Sequence, residues 1–306
     1  MATGTADDAA QPAERVAVSS PDKVLFDGEP PVTKADLVRH YERVGELLLA
    51  HARGRPVTLQ AFPAGIGRPG HFIKQIPSHF PAWVDRVTVP KRGGTVTHVL
   101  AERPETLRLL ANQNTITPHV WTSRVPDLER PDRLVVDLDP SAGDEDFGRI
   151  RRAARMVGEL FRAVGLEPFA TTTGSRGIHV VAPLAGDLGF PEVFQVAKGL
   201  AEEAVRRAPE DLTLEFLKDN REQRIFVDVL RNRWAQTVPA PYAVRARPGA
   251  PVATPLRWDE LGSSRLAPDR WTLRTIGRRV GRVGDPWAGI DAAAVSARDV
   301  ARRLGR

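Results

Sequence analysis

The sequence predicts an α/β protein, because segments with the period of β-strands alternate with segments that have the period of amphipathic helices. Short β-prone runs such as VTLQAF, HFIKQI and IHVVAPL are bounded by glycine and proline. Helical spacing is clearest after Thr33, the predicted N-cap, where Leu37, Tyr41, Val44 and Leu48 fall on one face. The chain therefore has both kinds of element needed to cover a sheet with helices.

The order of these elements predicts two modules. Between residues 56 and 123 the pattern indicates short strands and one helix at PETLRLLAN. From residue 131 it indicates, in order, strand LVVDLDP, helix DEDFGRIRRAARMVGELFRAVG, strands PFATTT and IHVVAPL, helix PEVFQVAKGLAEEAVRRA, strands TLEFLK and RIFVDVLRN, and two arginine-rich helices.

The domain organisation follows from what the chain lacks between these elements. Residues 20–290 contain no internal repeat and no linker, so two interlocked α/β modules are predicted within one domain, residues 20–306. The modules are predicted to span residues 20–130 and 131–306. Residues 1–19 are small and polar without periodicity and predict a disordered tail.

Composition excludes several classes of function. The chain has no cysteine, which rules out disulfides, thiolate metal sites and cysteine nucleophiles. No apolar run reaches the length of a membrane span and no signal peptide is recognisable, so a cytoplasmic protein is predicted. The net charge of +6 is concentrated in residues 265–306, which hold ten arginines and four aspartates. A polyanion partner and a merely solvated basic face both explain this charge.

Two aspartates end the apolar run LVVDLDP. Residues i and i+2 of a strand project from the same face, so Asp137 and Asp139 are expected to lie side by side. Carboxylates this close require a proton or a cation to neutralise them, and they are preferred ligands of Mg²⁺ and Mn²⁺. The motif alone leaves three interpretations open: a structural turn, a metal site, and an aspartyl nucleophile with its acid partner.

Two further motifs favour the metal site. Asp228 lies within the apolar run RIFVDVL, where a carboxylate is costly to bury without a cation or basic partner, although an exposed edge strand would also accommodate it. The stretch TTTGSRGIHVVAPL predicts a tight turn between two strands, with amides, Ser175, Arg176 and His179 available to an anion. Further on, PYAVRAR predicts a strand that presents Arg245 and Arg247 on one face.

In this order the motifs resemble the polymerase domain of bacterial ligase D and its stand-alone relatives, members of the archaeo-eukaryotic primase superfamily. The resemblance covers residues 20–290 and rests on SPDKVLF, TKADLVRHY, GRPVTLQAFPAG, HFIKQ, HVWTSR, LVVDLDP, TTTGSRGIHVVAPL, RIFVDVLRNRWAQT, APYAVRARPGAPVATPL, RWTLRTIGRRV and GDPWAGI. It implies a primase-type catalytic core with largely antiparallel sheets, the second of them RRM-like.

The resemblance also implies a function. The expected activity is that of a template-dependent primase-polymerase, a nucleotidyltransferase that adds nucleotides, preferably ribonucleotides, to primer 3′-hydroxyl ends. It would act in gap filling and end processing during double-strand-break repair, using two divalent ions, Mn²⁺ or Mg²⁺. The implied partners are gapped or broken DNA with a 5′-phosphate, NTP or dNTP, Ku and a separate DNA ligase, and the implied location is the cytoplasm, in association with the nucleoid.

Residue roles are carried over by matching motifs. The positions that match the metal-binding carboxylates are Asp137, Asp139 and Asp228. Those that match nucleotide-binding residues are Lys74, His119, Ser175, Arg176, His179 and Arg245. Lys23 and Lys34 match the pocket for the DNA 5′-phosphate.

The sequence departs from the family pattern at several positions. Gln60 and Arg176 stand where arginine and lysine are usual, Ser20 stands where asparagine often precedes the PDK run, and TPHVW replaces an LHPW-like run. Two other functions are weighed against the polymerase. One is a DNA-end-binding repair module with weak or no polymerase activity, and the other is a haloacid-dehalogenase-type phosphatase, which also uses a DxD motif after a strand.

Overall fold

The computed structural model describes residues 16–141 and 146–305 and shows the predicted mixed α/β architecture. Within these ranges the chain forms six α-helices and two large sheets, and almost all strand neighbours are antiparallel. None of the helices in the described ranges combines the length and apolar character required to cross a lipid bilayer.

The first module is a sheet covered by two helices. Its elements are β1 (Val24–Phe26), β2 (Val32–Thr33), α1 (Lys34–Ala52), β3 (Pro56–Ala61), β4 (His71–Ile73), β5 (Arg86–Lys91), β6 (Gly94–Leu100), α2 (Pro104–Asn112) and β7 (Thr115–Trp121). Helix α1 begins as predicted: the Thr33 hydroxyl accepts a hydrogen bond from the Asp36 amide, and the Asp36 carboxylate accepts one from the Thr33 amide.

The second module continues the chain with a second sheet. Its elements are β8 (Arg133–Asp139), α3 (Phe147–Ala163), β9 (Phe169–Thr172), β10 (Ile178–Pro183), α4 (Phe190–Arg207), β11 (Leu212–Thr213), β12 (Ile225–Asp228), β13 (Thr237–Pro239), β14 (Thr254–Leu256), α5 (Ile276–Val283) and α6 (Ala297–Arg303). The strand order β12-β8-β10-β9, with α3 and α4 as the two crossovers, is that of an RRM-like βαββαβ unit. The predicted fold class is confirmed.

Side chains that alternate along a strand project from opposite faces of the sheet, and the helices cover only one of these faces. In β8 the even-numbered residues, Leu134, Val136 and Leu138, pack into the core that α3 and α4 complete. The odd-numbered Val135 belongs instead to a small cluster with Val181, Trp287 and the nearby Val238 of the first sheet. The two sheets therefore face each other with their helices outside.

The modules are interlocked, as predicted, because the chain returns to the first module after building most of the second. Strand β13 pairs with β7 at the edge of the first sheet. Beyond it, the Tyr242 hydroxyl donates to one Asp285 carboxylate oxygen at 2.7 Å, and His51 of α1 lies 2.8 Å from the other. Residues 131–306 thus do not pack as a separate unit. The boundary at residue 130 separates the two modules in the sequence, but residues after it also pack in the first module.

Three local expectations differ from the structure. The strand predicted at TLEFLK ends at Thr213, since the chain then turns through a short 3₁₀ helix, Lys218–Asn220. The strand predicted at PYAVRAR is wrong: Tyr242 has a φ of 67°, and the segment makes only an isolated bridge from Val244 to Val252. Arg245 and Arg247 therefore do not share a strand face.

The start of the described chain is ordered by contacts with α2. The Val16 carbonyl accepts from Arg108 Nε at 2.6 Å, and the Ser19 amide donates to Asn112 Oδ1 at 2.9 Å. Residues 16–19, which belong to the predicted disordered tail, are thus held in place. Residues 1–15 of that tail and residues 144–145 of the third predicted helix lie outside the described residues.

Gly158 of α3 offers a test of the packing of the second module. A Cβ atom there would lie 2.0 Å from Cζ2 of Trp258, so we expect Gly158→Ala to lower the free energy of unfolding by about 1–3 kcal/mol. The matched control is Gly281→Ala in α5. Apart from its chain neighbours and the backbone of its own helix, the new methyl group would meet no described atom within 4 Å, so the change should be neutral or stabilise by about 0.4–1 kcal/mol. Urea unfolding of both variants measures the difference, and equal effects would contradict the packing described.

Candidate active site

The three predicted carboxylates converge because of the register of β8 with its two neighbours. Asp137 in the centre of β8 is paired with Asp228 of β12 on one side and with His179 of β10 on the other. Directly paired residues on adjacent strands project from the same face, and Asp139 follows on that face two residues later. All four side chains thus point away from the helices and towards the first sheet.

The carboxylates form a compact cluster. One oxygen from each of Asp137, Asp139 and Asp228 lies within 4.8 Å of the others. Asp137 and Asp228 are buried and Asp139 is half-buried. Asp137 Oδ1 lies 3.3 Å from His179 Nε2 but makes no hydrogen bond of good geometry with any described residue. A buried carboxylate oxygen without a hydrogen bond is a costly feature in a protein that binds nothing there.

The pKa values of the cluster reflect this crowding. Burial, and then the Asp137 charge, raise the pKa of Asp139 to about 6. Burial also raises the pKa of Asp228, against the effect of the Leu230 amide, which donates to its Oδ1 at 2.7 Å. For Asp137 burial acts in the same direction, but His179 and then Arg231 outweigh it and lower the pKa. Asp137 is therefore charged at neutral pH, and its charge opposes ionisation of the other two carboxyl groups.

The donor set fits a divalent cation. Three carboxylates on one face supply hard oxygen ligands, and Asp137 Oδ1, whose one described polar contact is His179 Nε2 at 3.3 Å, is an acceptor that such a cation would satisfy. A cation would also reverse the repulsion that disfavours ionisation of Asp139 and Asp228. The residues present thus support the metal-site interpretation of LVVDLDP over a simple structural turn.

Two of the aspartates line one wall of a cleft between the two sheets, which we call the central cleft and which has a volume of about 280 Å³. Asp137 and Asp139 lie on one side, and His119 and Phe72 of the first module on the other. Burial, together with the charge of Arg245, lowers the pKa of His119 to about 3, so the imidazole is neutral. His119 Nε2 lies 3.2 Å from Gln60 Oε1, and the Phe72 ring contacts the imidazole with ring centroids 5.5 Å apart. Ser175, His179 and Arg245 also line the cleft.

Arg245 brings a guanidinium group to the cleft from an irregular segment. It donates a short hydrogen bond to the Thr173 carbonyl, while its Nε is buried and has no hydrogen-bond partner among the described residues. Burial lowers its pKa to about 10, against the opposing effect of Asp137, so it remains a cation at neutral pH. A buried N–H with no acceptor, on a charged side chain that lines a cleft, is suited to an anionic ligand.

The turn between β9 and β10 has no space for a side chain at either glycine of GSRG. Gly174 has a φ of +63°, and a Cβ there would lie 2.8 Å from Arg245 Cγ, while a Cβ on Gly177 would lie 2.2 Å from the Leu138 carbonyl oxygen. The expected anion-binding amides are only partly available, because those of Ser175 and Gly177 donate to the Thr173 hydroxyl at 3.2 Å. The Ser175 side chain, rather than these two amides, is what the turn offers to the cleft.

Five of the predicted residues, Asp228 among them, do not line the central cleft. Arg176 is exposed and lines a neighbouring opening with Asp139, Asp228 and Phe216, which we call the Phe216 cleft. Lys74 lines a third opening, on the far side of Phe72, which we call the Trp234 cleft after its exposed tryptophan. The remaining two are Lys23 and Lys34, described below, which line none of these three clefts.

Lys23 and Lys34 lie close together beside the β1–β2 pair. The Lys34 amide donates to the Lys23 carbonyl at 2.8 Å, and Lys34 Nζ lies 3.4 Å from the Ser19 hydroxyl. Burial, and then the charge of Lys23, lower the pKa of Lys34. Two neighbouring ammonium groups whose charges oppose each other form a cationic pair that an anion would stabilise.

Sequence reasoning missed Arg231 and Phe72. Arg231 Nε lies 3.6 Å from Asp137 Oδ2, which makes Arg231 a cation at the carboxylate cluster as well as part of the central cleft. Its position three residues after Asp228 was the available signal. The sequence gives little sign of the role of Phe72, because an apolar residue in a short strand is ordinarily buried. In the structure the Phe72 side chain is 62% exposed.

Comparison with protein families settles the relationship of the chain. The sequence model of the LigD primase-polymerase domain matches residues 33–287. The chain belongs to the LigD primase-polymerase domain family. Membership leaves the phosphatase hypothesis without support, since that hypothesis rested on the DxD motif alone.

Named relatives and a solved structure agree with this assignment. The chain is 33% identical over 303 residues to the multifunctional non-homologous end joining DNA repair protein LigD of Mycobacterium tuberculosis, and 31% identical over 283 residues to LigD of Mycolicibacterium smegmatis. These alignments cover 96% and 92% of this chain but only 39% and 37% of the relatives, so the chain spans less than half of their length. The polymerase domain of M. tuberculosis ligase D in complex with DNA superimposes with a TM-score of 0.86 at 32% identity, covering 92% of this chain and 99% of that domain.

Replacement of Asp228 tests the fit of the cluster to a cation. Asp228→Asn keeps the acceptor for the Leu230 amide but removes one charge, so we expect the Tm in EDTA to stay equal or rise as repulsion falls. Excess Mn²⁺ should raise the Tm of the wild-type protein by ligand linkage and leave that of the variant nearly unchanged. Differential scanning fluorimetry measures both effects, with the exposed Glu210→Gln as the charge-matched control. An undiminished Mn²⁺ effect in Asp228→Asn would contradict the site.

Proposed function

We propose that this protein is a template-dependent nucleotidyltransferase, a primase-polymerase that adds nucleotides to primer 3′-hydroxyl ends. The observation that carries the proposal is the placement of Asp137, Asp139 and Asp228 on one face of the sheet, directly beside a cleft with Ser175, His179 and Arg245. Carboxylates beside cationic and hydroxyl side chains provide a place for a divalent cation next to a place for phosphates. Membership of the LigD primase-polymerase family supports the same reaction.

Each group in the central cleft has a role in this proposal. Arg245, Ser175 and His179 would bind the triphosphate, with the unpaired Arg245 Nε directed to a phosphate oxygen. The position of Arg231 beside Asp137 lets it contact the same phosphates or restrain the carboxylate. Two divalent ions, Mn²⁺ or Mg²⁺, held by the three aspartates would activate the primer hydroxyl and stabilise the leaving pyrophosphate. Arg176 in the Phe216 cleft would face the primer strand instead.

The state of His119 supports a preference for ribonucleotides. The neutral imidazole can donate from Nε2 to Gln60 Oε1, and this leaves Nδ1 as an acceptor for a sugar hydroxyl. The contact with Phe72 restricts the orientation of the ring. A ribose 2′-hydroxyl would satisfy this acceptor, whereas deoxyribose would leave it unpaired. Gln60, which stands where the family usually has arginine, is thus the residue whose hydrogen bond places the proton on Nε2 of His119.

The biological setting proposed is gap filling and end processing in DNA double-strand-break repair. The M. tuberculosis and M. smegmatis relatives are named as non-homologous end joining proteins, and the solved polymerase domain is a complex with DNA. Gapped or broken DNA and NTP or dNTP would be the substrates, with Ku and a separate DNA ligase as partners, in the cytoplasm at the nucleoid. Lys23 and Lys34 would bind the 5′-phosphate across the gap.

Primer extension tests the proposed reaction. On a gapped template with a 5′-phosphate, the wild-type protein should add nucleotides with Mn²⁺ or Mg²⁺ and use NTP in preference to dNTP. Asp139→Asn should reduce the rate by at least about a hundredfold, because the carboxylates act through charge at the reacting phosphate. Glu210→Gln serves again as the exposed control and should retain wild-type activity.

The outcomes of this experiment separate the alternatives. Full activity of Asp139→Asn would contradict the carboxylate site. Normal binding of gapped DNA by a wild-type protein that adds no nucleotide would favour a DNA-end-binding module that lacks chemistry. Equal use of NTP and dNTP by the wild-type protein would remove the role assigned to His119.

The lysine pair predicts a dependence on the 5′-phosphate. Wild-type protein should bind gapped DNA about tenfold more tightly with the 5′-phosphate than without it, since a charge-assisted contact contributes about 1.5–3 kcal/mol. Lys23→Gln should lose most of this difference and bind the dephosphorylated DNA nearly as the wild type does. Fluorescence anisotropy at constant salt measures all four affinities, and the exposed Lys198→Gln on α4 is the control. A phosphate effect that survives Lys23→Gln places the 5′-phosphate elsewhere.

A further inference from the structure

The Trp234 cleft has the composition of a surface for single-stranded nucleic acid. It lies between β4, the β5–β6 hairpin and the loop that follows Asn232, and it has a volume of about 530 Å³. Its aromatic residues are Phe72, Trp121 and Trp234, and its cations are Lys74, Lys91 and Arg92. No aspartate or glutamate of the described chain lines it. Aromatic faces beside a basic groove are the combination that binds bases by stacking and phosphates by charge.

Two of the aromatic side chains are exposed although the chain buries most residues of this kind. Phe72 is 62% exposed and Trp234 is 39% exposed. Trp234 is held in place by edge-on contacts with Trp121 and with Phe190 of α4, at ring-centroid distances of 4.9 and 5.5 Å. A fixed and exposed indole presents a stacking surface at little cost in side-chain entropy.

A buried polar group in the same cleft also has no partner. Trp121 is 2% exposed, and its indole nitrogen makes no hydrogen bond with any residue that the structure describes. An indole N–H ordinarily finds an acceptor when it is buried. The indole N–H is thus an unsatisfied donor in the wall of the cleft, and the cleft itself carries an excess of positive charge that a nucleic-acid phosphate would balance.

The three clefts form a series. Asp139 lines both the Phe216 cleft and the central cleft, and Phe72 lines both the central cleft and the Trp234 cleft. In the proposed reaction the primer end reaches the carboxylates from one side and the incoming nucleotide occupies the central cleft. The next opening beyond the nucleotide is the Trp234 cleft, and the strand that continues beyond the incoming nucleotide is the unpaired template.

We propose that the Trp234 cleft binds the unpaired template strand ahead of the templating base, with bases stacked on Trp234 and phosphates bound by Lys91 and Arg92. The assignment of the strand rests on the proposed polymerase function, whereas the affinity for single-stranded nucleic acid rests on the cleft alone. The site accounts for the clustering of two of the six lysines of the chain, Lys74 and Lys91, around exposed aromatic side chains.

The test compares two primer–templates that differ only in the template extension, one with a single unpaired nucleotide and one with several. Anisotropy in EDTA without nucleotide should show tighter binding of the longer extension by the wild type. Trp234→Ala should weaken binding of the longer extension by about tenfold and leave the shorter within about twofold, since stacking acts per base. Trp234→Phe should keep most of the affinity, and Lys198→Gln on α4 should have no effect.

A second variant keeps the test independent of folding around Trp234. Lys91→Gln combined with Arg92→Gln alters only exposed side chains of the hairpin and should weaken the same substrate and reduce the salt dependence of its binding. Equal losses on both substrates, or unchanged binding of the longer extension by this double variant, would overturn the inference. Absence of wild-type primer extension would contradict the proposed function but leave this binding result unaffected.

Discussion

The pairing register of β8 is the constraint on which the site depends. Asp137 must lie opposite both Asp228 and His179, and this holds only in the register in which Leu138 pairs with Val227 and Ile178. A shift of one residue would turn Asp137 and Asp139 towards the helices and expose Leu138. The apolar core beneath α3 and α4 prevents that shift, because Leu134, Val136 and Leu138 are almost fully buried in it. The stability of the core thus fixes the geometry of the carboxylates.

The same register imposes an electrostatic cost. Three carboxylates on one face of a sheet repel each other, and the raised pKa values of Asp139 and Asp228 reflect first their burial and then that repulsion. The protein offsets only part of the cost. His179 and Arg231 stabilise the charge of Asp137, and the Leu230 amide stabilises that of Asp228. Asp139 has the least compensation, and it is the carboxylate whose charge a cation would stabilise most.

The sequence could predict those features of the fold and the site that depend on local interactions. Strand and helix periodicity identified β8, β10, β12, α1, α3 and α4, and the two-residue period of strands was sufficient to place Asp137 and Asp139 together. The convergence of Asp228 was inferred from its apolar surroundings and is seen in the structure. Residues on loops could not be placed in this way. Arg176, Lys74 and Arg245 are positioned by turns and irregular segments whose path depends on tertiary contacts, so a motif could name them but not the cleft that each one lines.

The interlocked topology has a consequence for the central cleft, because its two walls come from different sheets. The aspartates belong to the RRM-like sheet, whereas His119 and Phe72 lie on β7 and β4 of the first. Their separation is set by the contacts between modules: β13 pairs with β7, and Asp285 accepts from Tyr242 while contacting His51 of α1. These contacts involve buried polar groups, which have good hydrogen-bond geometry in only one arrangement. The distance between the carboxylates and the neutral histidine is therefore fixed by the fold itself. In the proposed reaction, recognition of the nucleotide sugar and activation of the phosphate would depend on the same contacts between the two sheets.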